Sequence, residues 1–209
     1  WLSHFDINYF ILITLILFPI FYSFLKLNFI NYGVFITGFS ASSVEVILII
    51  AFQIIYGYTY QMLGIIITFF MAGLLIGSIF LINKITIVIK TYSIIQYLIG
   101  IYCILLALVL YFLRSSLLSN FFVHIIFILL ITIMGVLTGV QFALATKLRT
   151  ISISRIAAST YASDLLGAAI GAILIAAFLI PYFGIIKVSL IVAILNFITG
   201  LYILLKLRK

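Results

Sequence analysis

The chain has 209 residues, of which 67% are hydrophobic and 7% charged, and its net charge is +8. An ordinary soluble domain is about a quarter charged, so this composition excludes a soluble globular protein, a disordered chain and a soluble second domain. It predicts an all-α integral membrane protein, in which basic residues mark the ends of membrane spans rather than a nucleic-acid surface.

Seven apolar segments of the length that a transmembrane helix needs, about 20 residues, follow one another along the chain. Their predicted bounds are 9–25, 34–56, 60–82, 92–113, 121–145, 160–180 and 185–205. Such segments satisfy their backbone hydrogen bonds in lipid as helices, and Pro181 is expected to end the sixth. We expect one transmembrane domain over residues 1–209. Because position 1 is not Met and no basic segment precedes the first span, we expect it to be a fragment of a longer protein.

The distribution of basic residues predicts the orientation of the spans. Seven crossings place Arg114 and Lys187 on one side and the other nine Lys and Arg residues on the opposite side. The positive-inside rule assigns the side with nine to the cytoplasm. The N-terminus is then outside and the C-terminus cytoplasmic, and the expected location is the cell inner (plasma) membrane.

Small and amide side chains predict where the helices pack. Glycines four residues apart lie on one helix face, which lets a neighbouring backbone approach closely. We expect three such pairs to be buried at helix interfaces: Gly73 with Gly77, Gly135 with Gly139, and Gly167 with Gly171. Three glutamines, Gln53, Gln96 and Gln141, are expected to form hydrogen bonds between helices.

Glu45 is an acidic residue within the second span, about 17 Å from its predicted cytoplasmic start. It lies on a partly polar stripe with Ser42, and Gln53 lies beside that stripe. No Lys or Arg lies at comparable depth within a span, so a carboxyl group here is protonated, hydrogen-bonded, or paired with an external cation or another subunit. Two interpretations stay open: a neutral Glu that bonds across a helix interface, or a proton or cation site.

Asp164 is the second acidic residue within a span, about 6 Å inside the predicted cytoplasmic end of the sixth. Pairing with a nearby cation, or stabilisation of the helix N-terminus through its dipole, would explain it structurally. The candidate cations are Arg155, Arg149 and Lys147. A role with Tyr161 in binding a ligand or proton is the alternative. The depths of Asp164 and Glu45 differ by roughly 10 Å, which argues against a carboxylate dyad.

Two blocks of sequence resemble membrane-embedded spermidine synthase-like proteins, also described as fused major-facilitator/spermidine-synthase proteins. The first block is GFSASSVEVILIIAFQIIYGYTYQMLGIIITFFMAGLLIGS, residues 38–78, and the second is YASDLLGAAIGAILIAAFLIPYFGI, residues 161–185. Between them, GVLTGVQFALATKL resembles a further segment of that family, with Ala143 where the family has Pro. The resemblance implies the transmembrane half of such a protein. The linked aminopropyltransferase-like domain would lie outside this chain, since no Gly-rich turn after a strand is present.

No residue set in the sequence forms a recognisable catalytic site, metal site or cofactor site. We therefore expect a non-catalytic membrane domain that anchors, or forms a pathway beside, a partner domain or complex. The expected partners are the lipid bilayer and either other membrane subunits or a linked soluble domain, without nucleic acid. The alternative is a proton- or cation-coupled transporter that uses Glu45, with a polyamine as one candidate substrate.

Overall fold

The computed structural model describes residues 28–57, 60–113, 120–148 and 153–206. These residues form six long helices and no strand, as apolar segments that must satisfy their own backbone hydrogen bonds require. The helices are α1 Phe29–Tyr56, α2 Tyr60–Leu75, α3 Ile89–Leu113, α4 Asn120–Lys147, α5 Ile153–Leu174 and α6 Ile185–Lys206.

All six helices are long and apolar enough to cross a membrane. The prediction of an all-α, multi-pass membrane protein is therefore confirmed for the described part of the chain. The helices correspond to the second to seventh predicted spans, and the first, 9–25, lies outside the described residues. Helices α1 and α5 begin at Phe29 and Ile153, before the predicted bounds of 34 and 160, because helical hydrogen bonding extends into the residues of mixed polarity that precede each apolar run.

Two helices contain a π-helical turn and then continue. Helix α2 passes through Ile76–Leu81 into a 3-10 turn, Ile82–Lys84, and α5 passes through Ile175–Leu179 into a last turn, Ile180–Phe183. The prediction that Pro181 ends this helix is therefore wrong. Pro181 lies at the start of the last turn, where the missing N–H of proline is tolerated. The helix ends instead at Gly184, whose φ of 77° favours glycine.

Neighbouring helices alternate in direction along the chain, as consecutive membrane crossings must. Contacts between α1 and α5 advance together, from Phe35 with Gly167 to Phe39 with Gly171, so these two helices run parallel. Contacts between α3 and α6 run in opposite senses, since Ser93 donates a hydrogen bond to the Gly200 carbonyl and Ser189 donates one to the Cys103 carbonyl. Helices α1, α3 and α5 point one way, and α2, α4 and α6 the other.

Helix α1 lies at the centre of the bundle. It contacts each of the other five helices, and 72% of its most apolar stretch is buried, against 17% for α5. The most extensive contacts join α1 to α5, α3 to α6, and α2 to α4. Helices α2 and α5 therefore lie at the periphery, each held mainly by one partner.

Glycine lies where two of these pairs approach most closely. A Cβ atom on Gly73 or Gly77 would collide with the carbonyl oxygen of Thr132 or Val136 in α4. The reciprocal positions in α4 are equally tight, with Gly135 against the Phe70 carbonyl and Gly139 against the Leu74 carbonyl. In the α1–α5 pair, Gly167 and Gly171 lie against the carbonyls of Phe35 and Phe39. All three predicted glycine pairs thus lie at backbone-to-backbone contacts, which only small residues permit.

Basic residues collect at one end of the bundle. The end formed by the N-termini of α1, α3 and α5 and the C-termini of α2, α4 and α6 carries Lys84, Lys90, Lys147, Arg155 and Lys206. At the opposite end, the residues that the structure describes include one basic residue, Lys187, near the start of α6. The two ends of the bundle therefore differ strongly in charge.

Candidate functional site

A fully buried network of amide and hydroxyl groups joins four of the six helices. Gln96 of α3 accepts a hydrogen bond from Gln141 Nε2 of α4 at 2.7 Å and donates one to Asn196 Oδ1 of α6 at 2.8 Å. Asn196 in turn donates to Ser40 Oγ of α1 at 2.7 Å. All four side chains have zero exposure. Buried amides without partners are costly, so this network fixes the relative positions of the helices that carry it.

The network was partly predictable. The expectation that Gln96 and Gln141 bond between helices is confirmed, whereas Gln53 is exposed at the end of α1. Sequence reasoning missed Asn196 and Ser40. Asn196 is the one strongly polar side chain in the middle of the last apolar segment, and that isolation is a signal that it has a partner.

A cleft of about 260 Å³ lies where α2, α4 and α5 meet. Its lining residues are Leu74 and Ser78 of α2, Thr138, Gly139 and Phe142 of α4, and Tyr161 and Asp164 of α5. The cleft is closer to the basic end of the bundle, because Ser78 lies six residues before Lys84 and Asp164 lies seven residues after the start of its span at Ala157. A carboxyl group therefore faces an open space within the membrane-spanning part of the molecule.

Close packing on α1 holds Asp164 in this position. Gly38 lies directly against it, so that a Cβ atom there would come within 2.7 Å of Asp164 Oδ1 and would also collide with the Asp164 carbonyl oxygen. The absence of a side chain at Gly38 leaves room for the carboxyl group. The Asp164 side chain is half-buried, and it has no hydrogen-bond or ion-pair partner within the described ranges.

The position of Asp164 contradicts the explanation through the helix dipole and excludes Lys147 as its counter-ion. Helix α5 begins at Ile153, about three turns before Asp164, and has no acidic residue in its first turn. The alternative in which Asp164 stabilises the helix N-terminus is therefore wrong, since the dipole acts only within the first turn. Lys147 is exposed and forms no pair with Asp164, and the side chains of Arg149 and Arg155 lie outside the described residues.

Of the other predicted ligand residues, Tyr161 lies at the cleft, and the three on α1 do not line it. Tyr161 lines the cleft with Asp164 and is 57% exposed. Glu45 is half-buried and lies seven residues after Gly38 on α1, which places its Cα about 10 Å further along the helix. Ser42 lies one turn from Glu45, while Gln53 lies about 12 Å beyond it. Glu45 and Asp164 therefore lie at different positions along the helix axes of the bundle.

Ser78 and Thr138 were not predicted as site residues, although each adjoins a predicted packing glycine, Gly77 or Gly139. Within the part of the chain that the structure describes, no three His, Cys, Asp or Glu side chains come together as metal ligands.

No protein-family model, curated protein or solved structure matches the chain, and none of these comparisons links it to spermidine synthase-like proteins.

Proposed function

We propose that this chain is a non-catalytic membrane domain that anchors, or forms a pathway beside, a partner domain or complex. One observation carries the proposal: the hydrogen-bonded network of Gln96, Gln141, Asn196 and Ser40 ties α1, α3, α4 and α6 into one unit. A core tied in this way resists relative movement of its helices. It therefore suits a fixed scaffold better than an assembly of moving halves.

The peripheral helices supply the surface that such a scaffold offers. Helix α5 is the least buried span, and α2 follows with 28% of its most apolar stretch buried. Their exposed faces carry large apolar side chains such as Ile79, Phe80, Ile173 and Phe178. In a membrane these faces meet lipid or the helices of another subunit.

We further propose a seven-span arrangement in the plasma membrane, with the N-terminus outside and the C-terminus in the cytoplasm. The concentration of basic residues at the end formed by Lys84, Lys90, Lys147, Arg155 and Lys206 supports this orientation. The seventh span would be segment 9–25. Under the resemblance to spermidine synthase-like membrane proteins, the partner would be a linked soluble domain on the cytoplasmic side.

A second candidate function is proton- or cation-coupled transport through Glu45. The observation that favours it is a half-buried carboxyl group in the most buried span, with no ion pair or hydrogen bond to any other described residue. A carboxyl group at this depth costs about 2.5–3.5 kcal/mol on insertion scales. A proton or a transported cation would offset that cost.

Flux measurements on the purified chain in liposomes distinguish the two functions. We expect wild type to show no proton or polyamine flux above that of empty liposomes. Glu45→Gln keeps similar hydrogen-bonding groups to a protonated Glu and should behave like wild type in both folding and flux. Flux that is present in wild type and lost in Glu45→Gln would replace the anchor proposal with the transporter.

A further inference from the structure

We propose that the cleft around Asp164 binds an organic ammonium group, with the carboxylate as its counter-ion. The inference goes beyond the anchoring function and does not depend on it. It rests on the charge, the hydrogen-bonding groups, the volume and the walls of the cleft.

The charge of the cleft favours a cation. Asp164 is the only carboxyl group among the residues that line it, and no Lys, Arg or His lies among them. No described Lys, Arg or His forms an ion pair with this residue. Close contact with Gly38 keeps the carboxyl group at the cleft, at a depth where an unpaired carboxylate is costly. A bound cation would remove that cost, and an anion would be repelled.

Two of the three hydroxyl groups that line the cleft, those of Ser78 and Thr138, favour a ligand that donates hydrogen bonds. Thr138 Oγ1 donates its single hydrogen to the Met134 carbonyl at 2.9 Å, and Ser78 Oγ donates to the Leu75 carbonyl at 3.4 Å. A hydroxyl has one hydrogen and two lone pairs, so both groups can offer only lone pairs to the cleft. Together with the carboxylate oxygens they form a set of acceptors. A primary ammonium group has three N–H donors and no acceptor, which complements this set.

The volume and the walls favour an organic cation over a bare metal ion. About 260 Å³ lies just below the roughly 300 Å³ at the small end of ligand pockets, and it would hold some eight or nine waters at about 30 Å³ each. Leu74 and Phe142 make part of the wall apolar. An alkyl chain of a few carbons would cover these side chains while its ammonium group reached Asp164. A bare alkali ion would leave them in contact with water.

An ammonium group of this kind has two possible sources: a soluble amine, or the headgroup of phosphatidylethanolamine in the surrounding bilayer. Isothermal titration calorimetry on the full chain tests both. The protein is placed in nanodiscs of phosphatidylcholine and phosphatidylglycerol, neither of which carries a primary ammonium group, and titrated with n-butylammonium chloride. Empty nanodiscs give the background from partitioning into lipid, and sodium chloride serves as the inorganic cation.

We expect saturable binding of n-butylammonium to wild type and none of sodium in the same concentration range. Asp164→Asn should weaken binding about tenfold or more, because a hydrogen-bonded charge pair is lost. Glu45→Gln is the matched control: it removes the other membrane-embedded carboxyl group, about 10 Å away along α1, and should bind as wild type does. Ser78→Leu fills the cleft from α2 with Asp164 intact, and it should also weaken binding.

The proposal is overturned if wild type does not bind n-butylammonium, or if Asp164→Asn and Glu45→Gln lose affinity equally. If Asp164→Asn does not fold, unchanged binding by Ser78→Leu overturns it instead. Replacing phosphatidylcholine with phosphatidylethanolamine then identifies the source. Weaker n-butylammonium binding in these nanodiscs indicates that the lipid headgroup occupies the cleft, and unchanged binding indicates a soluble amine.

Discussion

Like Gln96, Asn196 forms three side-chain hydrogen bonds in the bundle core. Its amide accepts from Gln96 and donates both to Ser40 and to the carbonyl of Val192 within its own helix. Asn196 therefore bonds to polar groups on two other helices. Its removal leaves the buried Gln96 Nε2 without this acceptor, whereas Ser40 keeps its hydrogen bond to the Ile36 carbonyl. Such unsatisfied groups cost more than the hydrogen bonds themselves contribute.

We predict that Asn196→Ala lowers the free energy of unfolding by about 1–2 kcal/mol, the range for interhelical hydrogen bonds in membranes and for buried polar groups left unpaired. Thr199→Val is the control, because Thr199 is also buried in α6 but its hydroxyl bonds to the Leu195 carbonyl of its own helix. The measurement is thermal unfolding in detergent, followed by circular dichroism. Equal losses in the two variants would show that the network does not tie the helices together.

Helix pairs are the next level of organisation, and glycine determines how closely they approach. Gly167 and Gly64 differ sharply in how close the neighbouring atoms lie. Gly167 lies against the backbone of α1, whereas a Cβ atom on Gly64 would meet nothing within 4 Å. The same substitution at the two positions therefore separates the effect of helix packing from the intrinsic preference of glycine and alanine for a helix.

We predict that Gly167→Ala destabilises the protein by about 1–3 kcal/mol, the usual cost of overpacking a filled interface, because the Phe35 carbonyl belongs to a backbone that cannot move aside alone. Gly64→Ala should be neutral or slightly stabilising, since alanine favours helix. Thermal unfolding of both variants in the same detergent checks this. A Gly167→Ala variant as stable as wild type would mean that α1 and α5 do not pack as described.

Sequence periodicity predicted the helices and the glycine faces but not the cleft. The apolar runs and the spacing of Gly73 with Gly77 depend on one helix at a time, so they can be read along the chain. The cleft depends on which helices become neighbours. Ser78 and Thr138 can be identified as lining residues only when the packing of α2 and α4 against α5, next to Asp164, is known. The position of Asp164 along its helix was misjudged because the predicted start of the span, residue 160, lies about two turns after the observed start at Ile153.

At the scale of the whole molecule, the unequal charge of the two ends predicts its orientation. We predict that a thiol introduced as Gln53→Cys, near the end of α1 opposite the basic cluster, reacts with a membrane-impermeant maleimide applied to intact cells. Asn83→Cys, at the basic end of α2, should react only after permeabilisation. Both residues are exposed.

The labelling is done in a Cys103→Ala background, since Cys103 is fully buried and is the single cysteine of the chain. The inverse pattern of labelling would show that the orientation is the opposite of the one predicted. The basic end would then face outward, and the Asp164 cleft with it.

The pairing of α1 with α5 also has a consequence for biosynthesis. Gly38 and Gly167 are about 130 residues apart in the sequence, which a ribosome takes roughly 6–26 s to translate at 5–20 residues per second. During that interval α1 is in the membrane without its main partner. Thr37, Ser40 and Ser43 each donate a hydrogen bond to a carbonyl one turn earlier in α1. These hydroxyl donors are therefore satisfied within the helix. They leave no unpaired donor in lipid during the interval before α5 is synthesised.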